Sequence, residues 1–181
     1  FYSKIDSLKL EGDWEGLEEF FEDYSKGIFN YQEYIKESLK VDERFSAIIG
    51  DNDIIKKIRS PRLKKYAEDY RNNILLDRNK DLYNDITEKI EEILKDYAYV
   101  LENYLVNQIF KDLIPFNKGE DMMASVNVLI NTYKLIKEYL KGRIYKSKER
   151  IMAEDVVSVI QAISKDLEHN KVLNKIINYK A

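Results

Sequence analysis

Residues 164 to 170 read SKDLEHN, and His169 within that run is the only histidine of the chain. A carboxylate directly before an imidazole is the raw material of acid–base or metal chemistry, because histidine changes charge near neutral pH. The spacing works against a catalytic triad. Adjacent side chains on a helix project about 100° apart, so Glu168 cannot orient His169 as a triad acid would. Asp166 stands three residues before His169, the i, i+3 spacing of di-metal helical bundles, but such sites take two copies and the sequence has one. We therefore assign no metal site. His169 reads first as a helix-end residue whose imidazole meets terminal carbonyls and the helix dipole, with Asn170 as the stop. A proton-moving role in a pocket is the competing reading.

A second kind of chemistry needs no histidine. An ammonium group is held by aromatic faces together with carboxylates, and the chain has fourteen tyrosines. Glu102, Tyr104, Glu168 and His169 are the candidate lining of such a cation-receiving, substrate-binding pocket. Tyr97 and Tyr104 also fall on an apolar helical stripe, where a tyrosine is ordinarily a core residue with a tethered hydroxyl.

Other chemistries lack their residues. With no cysteine, the chain offers no disulfide, thiolate nucleophile or cysteine-bound cluster. Gly12, Gly16, Gly27, Gly50, Gly119 and Gly142 stand far apart, and none forms the glycine-rich turn after a strand that a dinucleotide or phosphate site requires. The formal charge is -3. Lys56, Lys57, Arg59, Arg62, Lys64 and Lys65 form a basic cluster, but Asp51, Asp53, Glu68 and Asp69 flank it, so it reads as a solvated helix face and no nucleic acid is expected. No run approaches the roughly 18 apolar residues of a membrane span.

The elements that must position these groups are helical. Two prolines and six glycines are too few for short strands and tight turns. From Leu82, the positions Ile86, Ile90, Ile93, Leu94, Tyr97, Leu101, Tyr104, Leu105 and Ile109 step by three and four. That spacing predicts a helix from about 81 to 114, about 50 Å long at 1.5 Å per residue, around which the others pack. Pro115 and Gly119 end it. A second helix, over 121–141, carries an apolar face wider than a normal stripe and is expected to lie between neighbours, with Gly142 closing it. Ser60 and Pro61 read as the N-cap and first position of a helix reaching about Leu76. DWEGLEEFFEDYSKG and YQEYIKESLKVDERFSAIIG read as two earlier helices, and DNDIIKKIR as a short one. The C-terminal run sets Val156, Val159, Ile160, Ile163 and Leu167 on one face, and the pattern resumes from Val172. The expected architecture is all-α, a single bundle over 1–181 of about six to eight helices. The opening FYSKID has no methionine and no leader, so the chain reads as a C-terminal fragment of a longer cytoplasmic protein.

Two stretches, LENYLVNQIFKDLIPF (101–116) and VVSVIQAISKDLEHNKVLNKI (156–176), with INTYKLIKEYLKG between them, resemble the C-terminal part of the flagellin lysine-N-methylase family. The resemblance covers about 80–181 by motif and the first 75 residues by position and helical character. It implies methylation of flagellin lysines, with S-adenosylmethionine as donor. It also implies a metal or iron–sulfur cluster in a cysteine-rich N-terminal part, none of whose ligands occurs here. On that reading the fragment supplies substrate- or cofactor-cleft surface and does not catalyse alone. The alternative is a non-catalytic binding module, such as a ligand-sensing regulator domain, or a homodimerisation module using the wide apolar face of 121–141.

Overall fold

The computed structural model describes residues 2–25, 37–77, 80–111, 122–145 and 151–169, and the side chains of 2–3, 23–25, 80–81, 122–123 and 167–169 are outside that description. Every regular element among these residues is helical, as the scarcity of turn formers requires. In chain order they are α1 (Tyr2–Glu11), α2 (Trp14–Ser25), α3 (Glu43–Ile49), α4 (Asn52–Lys56), α5 (Pro61–Tyr70), a π-helical turn (Arg71–Leu75), α6 (Lys80–Asp96), α7 (Ala98–Lys111), α8 (Met122–Ile144) and α9 (Ala153–His169).

Local chemistry sets most of the boundaries. The 2–11 segment, which periodicity did not mark, forms α1 and ends in a glycine stop. Gly12 has φ 69, the N–H of Gly12 bonds Lys9 O, and the N–H of Asp13 bonds Leu8 O at 3.0 Å. This pairing satisfies the last carbonyls of α1 and is open to glycine because it has no Cβ. Asp13 then caps α2 by accepting the N–H of Gly16 at 2.9 Å. Of the long helix expected over 31–49, residues 31–36 lie outside the described residues, and the rest is interrupted at 39–42, because Asp42 takes an extended conformation and accepts the N–H of Phe45 to begin α3. Ser60 accepts the N–H of Leu63, with Pro61 at the first helical position, as expected.

The helix predicted over 81–114 follows the expected path, but its ladder is interrupted at Tyr97, dividing it into α6 and α7. Taking those two as one interrupted rod, the described residues hold eight helices. Ile86, Ile90, Leu94 and Leu101 are buried as the stripe requires. Beyond Tyr104, which packs half-buried against the core, the stripe leaves it, and Ile109 and Phe110 are exposed. The element buried on most sides is instead α8, where Asn131, Thr132 and nearly every residue from Lys134 to Ile144 are buried. It packs against α5, α6 and α9, which cover its wide apolar face from Leu135 onward, whereas Val126, Val128, Leu129 and Ile130 are half-buried. α1 and α2 close a separate small core of Ile5, Leu8 and Leu17.

Gly142 does not stop α8, which continues to Ile144. Its role is steric. A Cβ at Gly142 would lie 2.4 Å from Tyr70 N and 2.5 Å from Tyr70 Cα, so α5 and α8 cross with their backbones in contact. The π turn follows at once, and Asn73 Nδ2 donates to Gly142 O at 3.0 Å while Arg71 Nη1 donates to Gly50 O at 2.6 Å. Gly142→Ala is expected to destabilise the fold by about 1–3 kcal/mol, although alanine is the better helix former by about 1 kcal/mol. Urea unfolding measures this, and an alanine variant as stable as the parent would show that the helices do not approach so closely.

Candidate functional site

The buried face of α8 is charged. Lys134, Lys137, Glu138 and Lys141 are all buried, in a helix read from sequence as an apolar core element. Such groups persist inside a protein only when paired or bonded. Lys141 Nζ donates to Glu138 Oε1 at 2.6 Å and to the Tyr83 hydroxyl at 3.1 Å, and it sits over the Tyr83 ring at 4.6 Å from the centroid. Lys137 is ion-paired with Glu91 of α6 and lies 5.5 Å from the Tyr133 ring centroid. Lys134 lies over the ring of Phe45 at 5.6 Å.

Tyr133, Lys137, Glu138 and Lys141 line a cavity of about 570 Å³ bounded by α6, α8 and the 39–41 segment, with Lys40, Tyr83, Thr87 and Glu91 on its walls. Behind it, Tyr70 is fully buried, bonded to Ser46, and adjacent to Glu138. Tyr139, on the same helix, donates to Ile49 O at 3.4 Å. The polar chain thus runs from Ser46 through Tyr70 and Glu138 to Lys141 and Tyr83.

Burial controls the proton affinities. It raises the Glu138 carboxyl above the usual carboxylate range, and the Lys141 and Lys137 ammoniums and Tyr70 only partly reverse this. Burial alone would lower Lys141, but Glu138 and Tyr83 outweigh it and leave the ammonium held more tightly than in water. Burial lowers Lys134, partly offset by Asp42. Burial raises the Tyr70 hydroxyl far above its ordinary range, with Glu138 adding to the effect, and it raises Tyr139 as well.

A second groove, of about 420 Å³, opens on the other side of Glu91 and Tyr133. Leu94, Ala98, Leu101, Leu105 and Val106 give it an apolar floor, and Glu91, Glu102 and Lys95 edge it. Glu102, named from sequence, is therefore an exposed groove residue. Tyr104 is half-buried against the main core and is not among the residues lining this groove. Glu168 and His169 close α9, but their side chains lie outside the described residues. Asp166, from the same run, is buried, and its charge acts on Tyr139. Among the described residues no cluster of three metal-ligating side chains occurs. The basic cluster behaves as a solvated face, with Lys56 pairing Asp53 at 3.1 Å and Lys65 pairing Asp69 at 3.3 Å.

Sequence reasoning missed Glu91, Tyr133, Lys137, Glu138 and Lys141. A signal was present: KLIKEYLK places Lys134, Lys137, Glu138 and Lys141 at spacings of three and four, one strip of a helix, and a strip of charge is ordinarily solvated.

Glu138→Gln leaves Lys141 buried without its counter-charge and is expected to cost about 3–5 kcal/mol, whereas adding Lys141→Met should restore much of it. A double-mutant denaturation cycle measures this, and additive losses would remove the pairing. The raised values of Lys141, Tyr70 and Tyr139 favour the protonated folded state. Their stabilisation is complete below the ordinary values, about 10 for tyrosine and 10.4 for lysine, and is lost as pH rises from there. Thermal melts should fall steeply above about pH 10, and Tyr70→Phe should flatten that fall; an identical slope would exclude Tyr70 as a contributor.

No curated protein and no solved structure matches the chain. No helix among the described residues is long and apolar enough to cross a membrane. One family model does match, over residues 1–179, extending well upstream of the stretches that carried the resemblance. It is described as the FliB lysine N-methylase C-terminal domain, and at that coverage the chain belongs to that family.

Proposed function

We propose that this domain supplies substrate-cleft surface to a protein-lysine N-methylase acting on flagellin, and that the domain does not transfer the methyl group alone. The observation that carries the reading is the groove between Glu91 and Glu102. A lysine side chain is a four-carbon apolar stem with a charged tip. The floor of Leu94, Leu101 and Leu105 suits the stem, and the carboxylates with the Tyr133 ring suit the tip.

S-adenosylmethionine is the methyl donor that the family implies. The larger cavity does not suit it, because Lys137 and Lys141 already pair with Glu91 and Glu138 there and leave no free carboxylate for the donor's positive sulfonium. No step of methyl transfer is therefore routed through this cavity, and donor binding is assigned to another part of the enzyme. A cysteine-bound cluster belongs there as well, since this chain has no cysteine.

Charge reversal at the exposed groove edge tests the reading in the intact enzyme. Glu102→Lys is expected to raise KM for flagellin by about three- to tenfold with kcat nearly unchanged, the size of a lost exposed charge contact of about 1 kcal/mol. Flagellin methylation with an unaltered KM would remove this groove from substrate binding, and intact protein that does not methylate flagellin would remove the substrate assignment.

A further inference from the structure

The two cavities share Glu91 and Tyr133, and on the larger side that pair already holds an ammonium: the chain's own Lys137. Glu91 is half exposed, at 49%, whereas Lys137 is 11% exposed, so the carboxylate faces outward while the lysine reaches it from inside. The Tyr133 ring stands beside the same ammonium. Carboxylate and aromatic face together make a cation subsite, and here the pair borders a groove whose other lining is largely apolar, as the stem of a lysine side chain is.

Resting on the lysine-groove reading above, we propose that Glu91 and Tyr133 form the ammonium-binding end of the groove and that Lys137 is its resident stand-in, displaced when an external alkylammonium enters. Lys137 has somewhere to go. Glu138 lies on the same cavity wall, its Oε2 makes no hydrogen bond of normal length among the described residues, and the Lys137 charge already acts on it. The cavity of about 570 Å³ leaves room for the ammonium to swing inward. The exchange keeps each carboxylate opposite a cation in both states: Lys137 moves from Glu91 toward Glu138, and the incoming ammonium takes Glu91. Lys137 thus sets a threshold, since an entering cation must compete with a tethered one.

The test is a titration of the intact protein with Nα-acetyl-lysine methylamide, using the uncharged norleucine analogue as control. Removing an occupant that fills the subsite about nine-tenths of the time tightens binding about tenfold. Lys137→Met and Lys137→Gln are therefore both expected to bind the lysine probe about tenfold more tightly than the parent, with no gain for norleucine. Adding Glu91→Gln should abolish the gain. Thermal melts of each variant establish that it is folded before the titration is read. Unchanged or weaker binding in both folded Lys137 variants overturns the proposal, as does a gain that survives Glu91→Gln. The readout is probe affinity, so flagellin methylation that fails while the gain persists counts against the proposed substrate and leaves the subsite standing.

Discussion

The contact between the backbones of α5 and α8 at Gly142 governs the molecule. It brings Tyr70 against the one helix that is buried on nearly every side, and one turn before Gly142 that helix carries Glu138. With Tyr70 bonded to Ser46 on one side and adjacent to Glu138 on the other, the crossing fixes the inner wall of the larger cavity. Lys141 is then anchored between Glu138 and Tyr83, which ties α8 to α6. A side chain at position 142 would separate the helices and detune each of these bonds in turn.

A buried ion pair seldom stabilises a fold more than apolar residues of the same shape, because desolvation offsets the attraction. The charged face of α8 therefore points to something other than stability. Three lysines lie over aromatic rings, two of them against carboxylates, and the carboxylate of Glu91 is shared with an outward groove. The interior of this domain repeats, with its own lysines, the chemistry by which a lysine side chain is recognised.

Particular elements show what the sequence discloses. The stripe from Ile86 to Leu101, the Ser60–Pro61 start and the face of Val156, Val159, Ile160 and Ile163 were legible because each depends on local spacing or a local cap. The break at Tyr97, the split at Asp42 and the role of Gly142 were not. Asp42 competes with a helical pattern that continues through it, and Gly142 answers to a backbone 72 residues away in sequence, with Tyr70. The sequence reading and the proposed site share one kind of chemistry, aromatic and carboxylate about a cation, and one residue, Glu102, which lines the outward groove. Glu91, Tyr133 and Lys137 were hidden because a lysine that the fold buries has the same one-letter pattern as one that water surrounds.

The π turn over Arg71–Leu75 has a bearing on how this segment tolerates change. Leu76 N–H reaches back five residues to Arg71 O, so the turn holds one residue more than an α turn. That surplus lets Arg71 and Asn73 reach two different backbone carbonyls, at Gly50 and Gly142. Composition is held at Arg71 and Asn73 by those bonds and at Ile74 and Leu75 by packing against the main core, whereas Asn72 is exposed and open to replacement. Length is held tightly. Deleting a single residue would return the turn to α geometry and rotate Asn73 about 100° away from the crossing it closes, so related chains should vary at Asn72 far more readily than in the number of residues in the turn.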